Sequence, residues 1–174
     1  LGLAITRCMV GAGAKVAVLS YESREQGREA LKEFGGKAVF YQFDITDTDH
    51  TQEMADRVIA EQGPVTILVN NAGIIVRKTV LDTTEEEWDR CMDIGLKGVF
   101  LFSKHTVPIM IEQGGGVIVN TASGAAIKGV PDSAPYNAYK GGVAALTRGM
   151  AVDFGKYNIR VNCVCPGDII TPML

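Results

Sequence analysis

Short apolar runs alternate with helical stretches along the whole of this chain, and that alternation leaves few folds open. The runs lie at residues 15–19, 38–43, 65–69, 117–120 and 160–164. The first, Lys15 to Leu19, is a short apolar run, the mark of a strand buried on both faces. Helical spacing fills the intervals: from residue 1 to about 10, residues 23–34, about 47–62, and a stretch from near Pro135 to about 156. Another long stretch opens with a capping pair, Thr84 and Glu87, and runs to about Glu112 with Pro108 inside it. Gly11-Ala12-Gly13, Gly35-Gly36, Gly63-Pro64 and Gly114-Gly115-Gly116 punctuate the pattern. Such alternation demands right-handed crossovers, so the expected fold is α/β: a Rossmann-like, doubly wound parallel sheet with helices on both faces. In that architecture ligands gather beyond the carboxyl ends of the strands. The loops there begin at Ser20-Tyr21, Asp44-Ile45, Asn70 to Gly73, Ser123 and Pro166 to Thr171.

No repeat, low-complexity tract or linker interrupts the chain, so residues 1–174 are expected to form one domain. At 47% hydrophobic side chains a chain of this length buries a sizeable core. The net charge of −3, with both signs interspersed, offers no basic stripe for nucleic acid, and no uninterrupted apolar run is long enough for a bilayer. Cys8, Cys91, Cys163 and Cys165 form no CxxC pair and have no histidine at ligand spacing. They read as reduced packing residues of a cytoplasmic protein with no metal site, and His50 and His105 stand alone on helical stretches. Leu1 is not a natural start, so the chain is expected to be part of a longer reading frame.

The chemistry concentrates at residues 123–140. Tyr136 and Lys140 are an i, i+4 pair and project from one helical face, one turn apart. A free phenol titrates near a pKa of about 10, and a fixed ammonium beside it draws that value toward the working range. Ser123 follows the apolar run before it, where its hydroxyl can share a substrate oxygen with the phenol. That outlines acid–base chemistry on an alcohol or carbonyl. Taken singly, Tyr-x-x-x-Lys is more often a solvated helix face, and a serine in a loop says less still.

Asn70-Asn71-Ala72-Gly73, Tyr136-x-x-x-Lys140 and Pro166-Gly167 occur in the order and spacing that resemble the NNAG, YxxxK and PG motifs of the short-chain dehydrogenase/reductase family. Within the family the resemblance is to glucose 1-dehydrogenase and 3-oxoacyl-carrier-protein reductase types. It implies an NAD(P)-dependent oxidoreductase that interconverts a secondary alcohol and a ketone. Tyr136 would be the general acid/base, Ser123 would hold the substrate oxygen, and Lys140 would bind the nicotinamide ribose. Asp44 and Ile45 would meet the adenine, and Asn71, Ala72 and Gly73 would pack under the adenosine ribose. Ile169 and Thr171 would face the carboxamide. For Asp44 the alternative is a helix N-cap near residues 46–49, and for Asn71 a side chain tying neighbouring strands together. The family pairs its long helices, which implies a homo-oligomer, a dimer or tetramer, through residues 85–112 and the helix after Tyr136.

Leu1-Gly2 resembles the tail of the family's Gly-rich segment, which places Leu1 beside the cofactor. The family's opening strand and last strand would then fall outside this sequence. Two neighbouring strands would lack a partner, and the 174-residue chain by itself is expected to bind cofactor weakly and to be inactive. Ser20 stands where an acidic residue selects NAD, and a serine does not repel a phosphate, so the cofactor inclines slightly to NADP over NAD. Gly95 aligns with the family's active-site asparagine and supplies no amide. A non-catalytic nucleotide-binding or scaffolding relative is therefore the alternative, and a gain in rate on Gly95→Asn would argue against it. Tyr139, where the family has a small residue, is expected to point away from Tyr136.

Overall fold

The computed structural model describes residues 1–171. The chain divides into two compact units, Leu1–Gly63 and a second that begins at Pro64.

In the first unit, helix α1 (Gly2–Gly11) leads to strand β1 (Val16–Ser20), helix α2 (Arg24–Leu31), strand β2 (Ala38–Gln42) and helix α3 (Thr51–Gln62). Strand β1 pairs with β2 in parallel, Val16 opposite Ala38 and Ser20 opposite Gln42. Ser23 caps α2 in a reciprocal box with Gln26, and Gly35 ends the following turn in the left-handed conformation, at φ 55°. Leu31, Phe34 and Ala38 form the core, with Val10, Val16, Val18 and Phe40 packed against it.

Helix α3 starts four residues later than its spacing suggests. Asp44 accepts hydrogen bonds from the Thr46 amide (2.9 Å) and hydroxyl (2.8 Å), and the Asp47 amide bonds back to the Asp44 carbonyl. Residues 44–47 therefore form an Asx turn in place of a first helical turn. Asp44 accordingly caps no helix.

The second unit runs through β3 (Ile67–Asn70), α4 (Glu85–Met92), α5 (Gly98–Glu112), β4 (Gly116–Thr121), α6 (Ala134–Phe154) and β5 (Ile159–Val164). Its sheet is parallel throughout, in the order β3-β4-β5. Val107, Met110, Ile118, Met150, Ile159 and Val161 make a core shared by α5, β4, α6 and β5. A π-helical turn, Asp93–Lys97, joins α4 to α5 with Gly95 at its centre, so residues 85–112 are one continuous helix. That helix is long and apolar enough by composition to cross a bilayer, which the uninterrupted-run reading did not reveal. Its buried side chains, Cys91, Val99 and Met110 among them, belong to the two cores of this unit.

Among the described residues, β1 and β3 each have a hydrogen-bonded neighbour on one side only. Every residue of β1 is half-buried and Ile67 is exposed. The parallel pairing and the helical crossovers match the predicted Rossmann-like class.

Candidate active site

Helix α6 enters with Pro135 in its first turn, where the missing amide costs nothing. Two contacts fix that entry: Asn137 hydrogen-bonds both the amide and the carbonyl of Val130 (3.0 and 2.8 Å), and the Ala134 amide donates to the Lys78 carbonyl. One turn on, Tyr136 is half-buried while Tyr139 and Lys140 are buried. The helical phase thus leaves Tyr136 half-buried and sinks the lysine one turn further on.

Lys140 is 5% exposed, and its amine donates to the Thr121 carbonyl at 2.5 Å. The same nitrogen stands 5.7 Å from the centre of the Tyr136 ring and 5.2 Å from that of Tyr139. Burial without a carboxylate partner pulls its pKa down to about 8, with Cys165 opposing the shift weakly. Cation and phenol ring thus lie side by side in the second unit.

Ser123 follows β4 and caps a short 3-10 turn, its Oγ accepting from the Ala125 amide at 3.1 Å. That bond uses the oxygen and leaves the hydroxyl proton for another acceptor. The Gly124 amide donates to the Pro166 carbonyl at 2.8 Å, so the Ser123 loop and the Pro166-Gly167 turn are joined. Ala122, Ala126, Tyr136, Tyr139, Cys163 and Cys165 belong to one apolar cluster beneath.

Gly73 lies against the same side chains: a Cβ added there would sit 3.1 Å from the Tyr139 oxygen and 3.7 Å from Lys140 Nζ. Beside it, the Asn71 Oδ1 is buried with no hydrogen-bond partner, the one such side-chain atom among the described residues. Tying the strands falls instead to Asn70, whose amide donates to Asn120 Oδ1 at 2.8 Å. Asn120 in turn donates to Thr147 (2.9 Å) and Thr147 to the Val143 carbonyl (2.7 Å), a buried chain through β3, β4 and α6. Sequence reasoning missed Asn120 and Thr147; their place beside strand and helix core positions was the available signal.

Four further predicted positions, Leu1, Ser20, Asp44 and Ile45, lie in the first unit. Ser20 donates its hydroxyl to the Glu22 carboxylate at the end of β1. Asp44 is held in its Asx turn with Ile45 half-buried beside it. Leu1 precedes α1 and is half exposed. In the second unit, Ala72 is exposed, and Ile169 and Thr171 follow β5 without regular structure, Ile169 exposed and Thr171 half-buried. Residues 77–79, Asp82 and residues 130–132 border a wide cleft of about 700 Å³ that does not include Tyr136 or Lys140.

Tyr139 corrects the sequence reading. It does not turn away from Tyr136: the two rings meet edge to face at 5.2 Å and 83°. Gly95 is also more than a vacancy, because a Cβ there would lie 2.4 Å from the Tyr139 ring. Gly95→Asn therefore adds no amide to a waiting site; it collides with a buried phenol.

The short chain dehydrogenase family model matches residues 1–174. A cyclopentanol dehydrogenase of Comamonas sp. (strain NCIMB 9872) is 41% identical over 99% of this chain and 71% of its own length. An NADP-dependent (R)-specific alcohol dehydrogenase of Lentilactobacillus kefiri is 39% identical over all of this chain and 71% of its own. A crystal structure from Burkholderia xenovorans, assigned to the short-chain dehydrogenases/reductases, superposes with a TM-score of 0.92 at 32% identity, covering 99% of this chain and 66% of that one. The chain belongs to the short-chain dehydrogenase/reductase family of oxidoreductases.

Proposed function

We propose that this protein oxidises a secondary alcohol to its ketone, and runs the reverse reaction, with NAD(P) as the hydride carrier and Ser123, Tyr136 and Lys140 as the working set. The observation that carries the reading is the buried Lys140 amine beside the half-buried Tyr136, at 5.7 Å from its ring. The relatives' names point the same way, since both act on alcohols. They weigh against a non-catalytic scaffold.

The residues fit a dinucleotide. Asn71 offers a buried acceptor with no partner, and Gly73 leaves open the space in front of Lys140 that a side chain would fill. Asn71, Ala72 and Gly73 would hold the ribose, Lys140 the nicotinamide ribose, and Ile169 with Thr171 the carboxamide. Asp44 and Ile45 are assigned the adenine, and Leu1 the segment next to the pyrophosphate. When bound, the nicotinamide supplies the hydride acceptor at the alcohol carbon. Ser123 holds the alcohol oxygen through its free hydroxyl proton. Tyr136 takes the alcohol proton as the carbon–hydrogen bond breaks and returns it in the reverse direction. Lys140 sets the electrostatic field on that phenol.

For the adenosine end, Ser20 by itself favours NADP. Its hydroxyl is committed to Glu22, however, which brings a carboxylate to the end of β1. A carboxylate there accepts from a 2′-hydroxyl and repels a 2′-phosphate, so we read the preference as NAD. Fluorescence titration should give NADH an affinity at least about tenfold above NADPH, and Glu22→Gln should narrow that gap. Tighter NADPH binding would return the choice to Ser20. The reaction itself is tested by following reduced nicotinamide during incubation of the full-length protein with cyclopentanol and related secondary alcohols. Reduction by none of them, with either cofactor, would contradict the reading.

A further inference from the structure

Tyr139 is the largest fully buried side chain of the described residues, yet the set above gives it no work. Its hydroxyl donates to the Ile74 carbonyl at 2.6 Å, which fastens α6 to the loop that carries Gly73. Its ring lies under the Lys140 amine and against the edge of Tyr136. Gly95 is what makes room for that ring. The glycine is not needed for the backbone, since Gly95 is not among the positive-φ residues. The need is steric: a Cβ would meet Tyr139 Cδ2 at 2.4 Å and Cε2 at 2.5 Å, far inside contact distance.

We propose that Gly95 and Tyr139 are a matched pair, in which the glycine clears a volume and the tyrosine ring fills it as the inner half of an aromatic wall that positions the Lys140 amine beside Tyr136. This rests on the reading of Tyr136 and Lys140 given above. Three contacts border the amine: the Thr121 carbonyl, which accepts from it, and the Tyr136 and Tyr139 rings, whose centres stand 5.7 and 5.2 Å from it and 5.2 Å from each other, so that the edge-to-face pair forms one wall. The Ile74 bond and the Gly95 backbone hold the Tyr139 ring in place, and Lys140 is 5% exposed beside it. Tyr139 is a positioning residue; it touches the lysine and the phenol, not the substrate. The titratable groups facing the amine are Tyr136 and Tyr139 from α6 and Cys165 after β5, while Cys91 of α4 faces Tyr139. Burial holds the Tyr139 phenol far above its ordinary range, so it remains a neutral donor to Ile74 and carries no proton traffic.

The test compares Gly95→Ala, Tyr139→Ala, their combination and Tyr139→Phe in the full-length protein. Gly95→Ala should fold poorly or melt well below wild type. Adding Tyr139→Ala should bring the melting midpoint of the double variant back above that of Gly95→Ala alone. A Gly95→Ala protein that melts like wild type, or a double variant no better than the single, overturns the pairing. Tyr139→Phe keeps the ring and removes the anchor. It should melt within a few degrees of wild type, keep KM within about twofold, lower kcat about tenfold and move the pH profile of kcat. Wild-type kcat with an unmoved profile would make Tyr139 a core filler and overturn the positioning role. Tyr136→Phe, run alongside, tests the catalytic reading separately, because the melting comparison does not depend on turnover.

Discussion

Lys140 carries a positive charge into a place that is 5% exposed and offers one carbonyl and two aromatic faces in place of a carboxylate. Its pKa falls from the usual 10.5 to about 8 because the charged form loses water. A depressed lysine pKa means that the folded state binds fewer protons than the unfolded state between those two values, so stability rises with pH across that window. The shift corresponds to about 3 kcal/mol when fully expressed. Below pH 8 both states hold the proton and the folded state bears the whole cost of burial. Wild type should therefore gain on Lys140→Met by about 2 kcal/mol between pH 7 and pH 10 in denaturant titrations, the variant losing function throughout. A constant difference across that range would mean that the amine is hydrated.

Elements place these residues, and here the sequence was legible in part. Strand and helix positions follow from apolar period, and the box at Thr84 stands where side-chain chemistry puts it. The start of α3 was not legible, because Asp44 had two local uses and the Asx turn won. Nor was the choice between Asn70 and Asn71. A strand alternates faces, and a shift of one residue at the end of β3 decides which amide enters the core and which is left for a ligand. Tyr139 was misread for a related reason: at i+3 from Tyr136 it shares that residue's face, so the two rings meet. The Asn70–Asn120–Thr147 chain binds two strands to α6, and removing its middle takes the near acceptor from the buried Asn70 amide and the donor from the Thr147 oxygen, which keeps its own bond to Val143. Asn120→Ala should cost about 2–4 kcal/mol by chemical denaturation, whereas a cost under about 0.5 kcal/mol would show that water replaces the amide.

At the scale of the molecule, protection should follow pairing. Strand β4 has a neighbour on each side and Ile118 fully buried, while β1 has one neighbour and no fully buried residue. Hydrogen exchange in this chain should be slowest over residues 116–121 and markedly faster over 16–20; equal rates would contradict the pairing described. Apolar side chains also remain exposed on the long helices, Trp88 and Phe100 at 41% and 48% and Val152 at 82%. They fit the proposed homo-oligomer, and Phe100→Glu with Val152→Glu should shift the sedimenting species to the monomer. A wild-type protein that sediments as a monomer would refute that proposal.

The most direct measurement is the turnover of Tyr136→Phe in the full-length protein with a secondary alcohol, taken with a cofactor titration of the same variant. The account predicts a loss of at least about a thousandfold in kcat with cofactor affinity within about threefold of wild type. Turnover that survives the loss of that one oxygen would contradict it.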